Sequence, residues 1–330
     1  MIILDGYNGG VGSQYGDGSD GQITITSGSV DIQDLYETSG EVLGATTKNG
    51  VDQGLGHGLG SYDPENGAFL QTTTLTIDLE ATLTHGTAYG DGSVTSNGTI
   101  YIGCLGLFTN NGTISIDALG YTGGAGGTTS GGAPSGLGNS GGTGGTGGDG
   151  SVPAGAGGTP IYGDSDLPLT WDGLNVGSGG GGGGGYYSSF PSVSIVGGIG
   201  GNGGGIIRIY TTSIINTSGL ISSNGGSGLL GGSAGAGAGG GGAGGSIYIE
   251  TINGNLGTDT ITASIGSGGD ALDASGTGGG GGGGAFAGLG IVGIAGNVGN
   301  PTKGNGGNGG IGRIHITGAY TGTTSDPAIA

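Results

Sequence analysis

The 330-residue chain holds 99 glycines, 23 acidic and only 4 basic residues, for a formal net charge of −19. That balance argues against nucleic acid as a partner, since phosphate binding needs basic patches, while it favours solubility and mutual repulsion. One cysteine excludes an internal disulfide framework, and 8 prolines without a Gly-X-Y period exclude collagen. A 32% hydrophobic fraction, arranged in short runs of isoleucine, valine and threonine, argues against disorder throughout.

The start, "MIILDGYNGG", has no basic segment and only four apolar residues ahead of Asp5, so no secretory signal is expected. No run approaches the ~18–20 apolar residues of a membrane span. In "GQITITSGSVDI", Ile23, Ile25, Val30 and Ile32 alternate with polar residues around "SGS", the pattern of a β-hairpin or of two successive short strands. "FLQTTTLTIDLEATLTH" (69–85) puts Leu75, Ile77, Leu79 and Leu83 on one face of extended chain. Residues 1–92 therefore read as an N-terminal β region, expected to attach the chain to something else.

From residue 93 a repeat begins. "TIYI" (99–102), "IIRI" (206–209), "SIYI" (246–249) and "RIHI" (313–316) each pair two isoleucines on one face. Alternation sends Tyr101, Arg208, Tyr248 and His315 to the other. A second strand follows three of them, "TISI", "LISS" and "TITA". The steps Ile100 to Ile114, Ile207 to Ile221 and Ile247 to Ile261 are all fourteen residues. Each unit has an apolar face it cannot bury alone, so the units must stack. Cys104, in "IGCLGLF", reads as a small buried hydrophobe.

Between the units lies the glycine. No 3.6-residue apolar period of useful length is present, so no helix is expected. A glycine inside a regular element costs roughly 0.5–1 kcal/mol relative to alanine. Segments this long without structure are uncommon in compact domains, yet they return to the strands through a shared approach: "GGNGGGIIRI", "GGGGAGGSIYI", "GGNGGIGRIHI". Polyproline-type extended chain made of glycine can pack side by side and bond amides to neighbours in several directions. The expected fold is all-β: stacked, solenoid-like strand modules with ordered polyglycine-type helical tracts and essentially no α-helix. The repeat part spans 93–330, with a loop insertion at about 150–195.

Two groups of residues are candidates for binding. The turns "YGDGSDG" (15–21), "YGDGS" (89–93) and "YGDSD" (162–166) can present carboxylates and carbonyls to calcium, with Asp17 and Asp20 as the candidates for a weak metal site. A plain solvated turn accounts for the same residues. The insertion gathers the only tryptophan, Trp171, with Tyr162, Tyr186, Tyr187 and Phe190, beside Asp172. Aromatic rings stack on sugar faces and carboxylates accept sugar hydroxyls. The alternative is that these rings supply a local core that glycine cannot.

Catalysis has little to stand on. His57, His85 and His315 lack paired ligand spacing for zinc. The glycine runs lack the Lys-Ser/Thr ending of a phosphate loop. Asp164, Asp166 and Asp172 could form a glycosidase pair, but among 23 acids nothing singles them out. No enzymatic activity is expected, and no cofactor other than calcium.

"LFTNNGTISIDALGYTGGAGG", "GGGGAGGSIYIE" and the terminal "GGNGGIGRIHI" resemble glycine-rich repeats of phage appendage proteins and of some bacterial surface proteins. The tracts also resemble the tail-fibre-tip adhesins of T4-like phages, whose polyglycine helices form a sandwich with host-binding loops at one end. The resemblance covers about residues 93–320, and the regular strand pairs between tracts depart from it. It implies a virion tail-fibre or tail-tip adhesin that binds a host cell-surface polysaccharide or protein. Partner virion proteins, and a homo-oligomer, are further expectations, with no membrane insertion. The alternatives are a self-assembling extracellular filament or surface-layer protein and, third, a capsule depolymerase on the same particle.

Overall fold

The isoleucine pairs set the register of one large sheet. The computed structural model describes residues 2–5, 22–32, 62–63, 67–72, 74–85, 98–127, 176–189, 192–232, 235–271 and 304–324. The strands before the repeat are β1 (Ile2–Asp5), β2 (Gln22–Asp31), β3 (Tyr62–Asp63), β4 (Gly67–Thr72) and β5 (Thr74–Thr84). Those of the repeat are β6 (Thr99–Asn110), β7 (Thr113–Ser115), β8 (Tyr186–Ser189), β9 (Ser192–Ile195), β10 (Ile206–Ile215), β11 (Leu220–Ser222), β12 (Ser246–Thr258), β13 (Ile261–Thr262) and β14 (Arg313–Thr323). Among the described residues only Ile32 is helical, so the described part of the chain is all-β.

Long strands β6, β10, β12 and β14 pair in parallel, with Ile100, Ile207, Ile247 and Ile314 in one register and Ile102, Ile209, Ile249 and Ile316 in the next. Short strands β7, β11 and β13 pair likewise through Ile114, Ile221 and Ile261. The constant fourteen-residue step is therefore a physical one: it carries the chain from one row of the core, round a turn, to the other. Before them, β4 and β5 pair with β6 and β7, and β2 lies parallel to β5. β1 and β3 add antiparallel to β2 and β4. The twelve strands make one mostly parallel sheet whose terminal members, β13 and β14, approach each other, so that it nearly closes.

The sheet encloses a large apolar core. Ile23, Ile25, Leu75, Ile77, Ile100, Phe108, Ile207, Ile221, Ile247, Ile261 and Ile314 all belong to it. Each buried isoleucine contributes about 1.5–3 kcal/mol, which explains how so few large side chains support so much glycine. Strands from both sides of residue 92 line this core.

Two local expectations are corrected. Residues 22–31 do not fold back as a hairpin. They form one strand, with Gly28 at φ +77° and a register shift between Ile25 and Ser27. Pairing with β5 buries both apolar halves at once, which a two-stranded hairpin cannot do. Leu79 does not share the face of Leu75, Ile77 and Leu83: it is 76% exposed. The carbonyl of Ile77 accepts the N–H groups of Asn111 and Gly112, so the chain turns a corner at 78–80 and inward alternation resumes at Ala81 in the same parity.

A second corner is set by an inward row, Thr72, Cys104, Thr211 and Thr251, in register across four strands. The hydroxyls of Thr72, Thr211 and Thr251 donate to the carbonyls of Thr74, Ser213 and Asn253, each two residues on. These local bonds satisfy carbonyls where the ladder breaks register. Cys104 takes the place of a threonine in that row.

The glycine-rich segments bond to one another. In 237–245 all nine consecutive N–H groups donate to other segments at 2.8–3.0 Å. Gly237, Gly240 and Ala243 donate to Gly184, Gly181 and Ser178. Ala238, Gly241 and Gly244 donate to Gly304, Gly307 and Gly310. Gly239, Gly242 and Gly245 donate to Leu229, Gly226 and Ser223. The three target segments alternate with a period of three residues. Buried amides that a loop would strand are thereby paired.

Close approach explains the composition at these points. A Cβ on Gly242 would run into the carbonyl of Asn202, and one on Gly239 into that of Ile199. Asparagine adds cross-links where it interrupts glycine. Asn202 accepts the Gly123 N–H at 2.9 Å, Asn308 that of Gly268 at 2.9 Å, and Asn305 that of Ala271 at 2.9 Å.

Candidate functional site

The pairings of the glycine segments fix where their ends lie. Gly177 bonds to Gly204, beside the start of β10, whereas Gly183 bonds to Gly198. Segment 176–185 therefore runs away from the large sheet and 196–205 runs back. Between them, at the end remote from the sheet, sits the hairpin β8–β9, a separate two-stranded sheet with Tyr186 opposite Ile195 and Tyr187 opposite Ser194. Of the aromatic candidates, Tyr186 and Tyr187 thus lie by their backbone positions on a strand of the remote hairpin. Trp171, Tyr162, Phe190 and Asp172 lie outside the described residues, as do Asp17 and Asp20.

Beside that end lies an apolar patch not singled out in the sequence. Val196, Ile199, Leu229 and Leu230 are exposed. Leu229 N–H donates to the Ile199 carbonyl and Gly232 N–H to that of Val196, which brings the two segments side by side. The available signal was large aliphatic residues interrupting glycine in "VGGIG" and "LLGG".

The outward row of the long strands is the other concentration of chemistry. Tyr101, Arg208, Tyr248 and His315 are in register across β6, β10, β12 and β14. The Arg208 guanidinium carbon stands 4.7 Å from the centroid of the Tyr101 ring, a cation–π geometry. Tyr248 and His315 stack with centroids 5.6 Å apart and planes 18° apart. The Tyr248 hydroxyl donates to Glu250 at 3.2 Å. Burial pushes the Tyr248 phenol above its ordinary range, with the Glu250 charge adding to the shift. Tyr101, Arg208 and Tyr248 are buried, so these rings pack the face and do not offer open platforms for a sugar.

Two further polar clusters belong to the scaffold. Asn110 Nδ2 donates to Asn216 Oδ1 at 2.6 Å, and Asn216 Nδ2 to Thr260 Oγ1 at 2.9 Å, a buried rail along the turns. His85, fully buried, pairs with Asp31 at 3.0 Å. Cys104 is buried and its thiol is pushed up by desolvation, so it presents no thiolate nucleophile. Among the described residues no group of three His, Cys, Asp or Glu is placed to hold a metal ion, and no helix is long and apolar enough to cross a membrane.

No protein family, characterised sequence or solved structure was found to match the chain.

Proposed function

We propose that the chain is a structural virion appendage, a tail-fibre or tail-tip adhesin that presents a host-binding end on a stiff spacer. The strand modules form a solenoid-like stack, and the glycine segments are polyglycine-type helices of three residues per turn packed into a slab beside it. The observation that carries this is the rotation of nine consecutive N–H groups through three partners in 237–245, the period such a helix has. At about 3.1 Å per residue, the ten residues between β9 and β10 span roughly 30 Å. Residues 1–92 attach the chain to the particle. The remote β8–β9 hairpin, which carries Tyr186 and Tyr187, contacts a cell-surface polysaccharide or protein, in keeping with function carried by loops on a rigid scaffold.

Immunogold electron microscopy tests this. Antibody raised against the purified chain is expected to label one end of phage particles from the source culture. Absence of label from particles, with endless fibres in negative stain of the purified chain, would replace the appendage by the extracellular filament. One feature favours that rival: among the described residues β14 pairs only with β12, and an open edge can recruit another chain.

A further inference from the structure

Arg313 opens β14 on the outward face, opposite Ser246 of β12. It is only 4% exposed, and its Nε donates to nothing. Among the described residues the one ion pair is His85–Asp31, so no described carboxylate neutralises this guanidinium. Desolvation lowers its pKa from the ordinary arginine range. Removing a charge from water without a partner is strongly unfavourable. An unpaired buried polar group in a native fold calls for an explanation such as a bound ion.

The groups around it are compatible with an anion. His315 lies two residues along on the same face, stacked on Tyr248, and Arg208 follows two strands away over Tyr101. Among the described residues the acid on this face is Glu250, which accepts the Tyr248 hydroxyl. With 4 lysines and arginines in the whole chain, having both arginines on one face is a concentration of positive charge.

We infer that Arg313, with His315 beside it, is a binding site for an oxyanion: phosphate, sulfate or the carboxylate of an acidic sugar. The planar fork of arginine matches such groups with two parallel hydrogen bonds. The site stands at the sheet end of the slab and does not depend on the receptor-binding role of the remote loops.

The test is thermal unfolding of the full chain at constant ionic strength, titrated separately with inorganic phosphate and with glucuronate. Wild type is expected to show a saturable rise of a few degrees, about what binding well above Kd produces. Response to phosphate alone identifies a free anion as sufficient. Response to glucuronate alone identifies an acidic sugar. Arg313→Met should abolish the response. Arg313→Lys, which keeps the charge but loses the fork, should weaken apparent affinity about tenfold or more. No saturable rise with either anion, or an unchanged rise in Arg313→Met, overturns the assignment. If Arg313→Met fails to fold, wild-type affinity in Arg313→Lys does the same.

Discussion

Replacing Gly242 with alanine separates a bonded glycine lattice from a passive linker. The new Cβ would meet the carbonyl of Asn202 and, at 2.8 Å, the amide nitrogen of Gly203. Both are backbone, so no side chain can swing aside. The Asn202 carbonyl already accepts the Gly226 N–H at 2.7 Å, and Gly242 itself donates to Gly226 at 2.9 Å. Forcing the segments apart adds about 1–3 kcal/mol of overpacking and weakens two hydrogen bonds worth about 1 kcal/mol each. Against this, alanine lowers the entropy of the unfolded chain by about 0.4–1 kcal/mol. The net loss is about 2–4 kcal/mol.

Gly232→Ala is the matched control, since its nearest atom is 3.1 Å away and the site is exposed; its cost should stay within about 1 kcal/mol. Urea denaturation followed by calorimetry on both variants reads the difference. Peptide-resolved amide exchange should show protection lost across 237–245 only in Gly242→Ala. Equal midpoints for the two variants would refute tight packing of these backbones.

Asn216→Ala removes both bonds of the buried rail and leaves the Asn110 amide without its 2.6 Å partner; about 2–4 kcal/mol should be lost in urea unfolding, and a loss under about 1 kcal/mol would mean the rail is dispensable. Leu79→Ser should be neutral within about 0.5 kcal/mol while Ile77→Ala costs about 2–5 kcal/mol, and equal thermal shifts would place Leu79 in the core after all. Cys104→Thr should cost under about 1.5 kcal/mol, because the hydroxyl inherits the role of Thr72, Thr211 and Thr251. The same variant tests pH dependence. The raised Cys104 pKa means the unfolded thiol ionises first, so this contribution is intact below the ordinary thiol pKa of about 8.5 and is lost as pH rises through it. Wild type should therefore lose stability relative to Cys104→Thr between about pH 8 and 10, and parallel profiles would contradict it.

The sequence by itself determined the repeated isoleucine strands and their register. Ile100, Ile207, Ile247 and Ile314 share a row, with Ile114, Ile221 and Ile261 in another, because strand alternation and a constant step leave few ways to bury such a face. Corners were not legible in this way. Leu79 and Leu83 keep the same spacing parity as Leu75, and only the meeting of Ile77 with Asn111 and Gly112 turns Leu79 outward. The partners of the glycine segments were equally hidden. A residue without a side chain carries no mark of which neighbour it faces, so 237–245 could acquire three rotating partners only once the strands had brought 178–184, 223–229 and 304–310 around it. Burial of Arg313 was decided there too, since a charged residue at an outward strand position is expected in water until another part of the chain covers it.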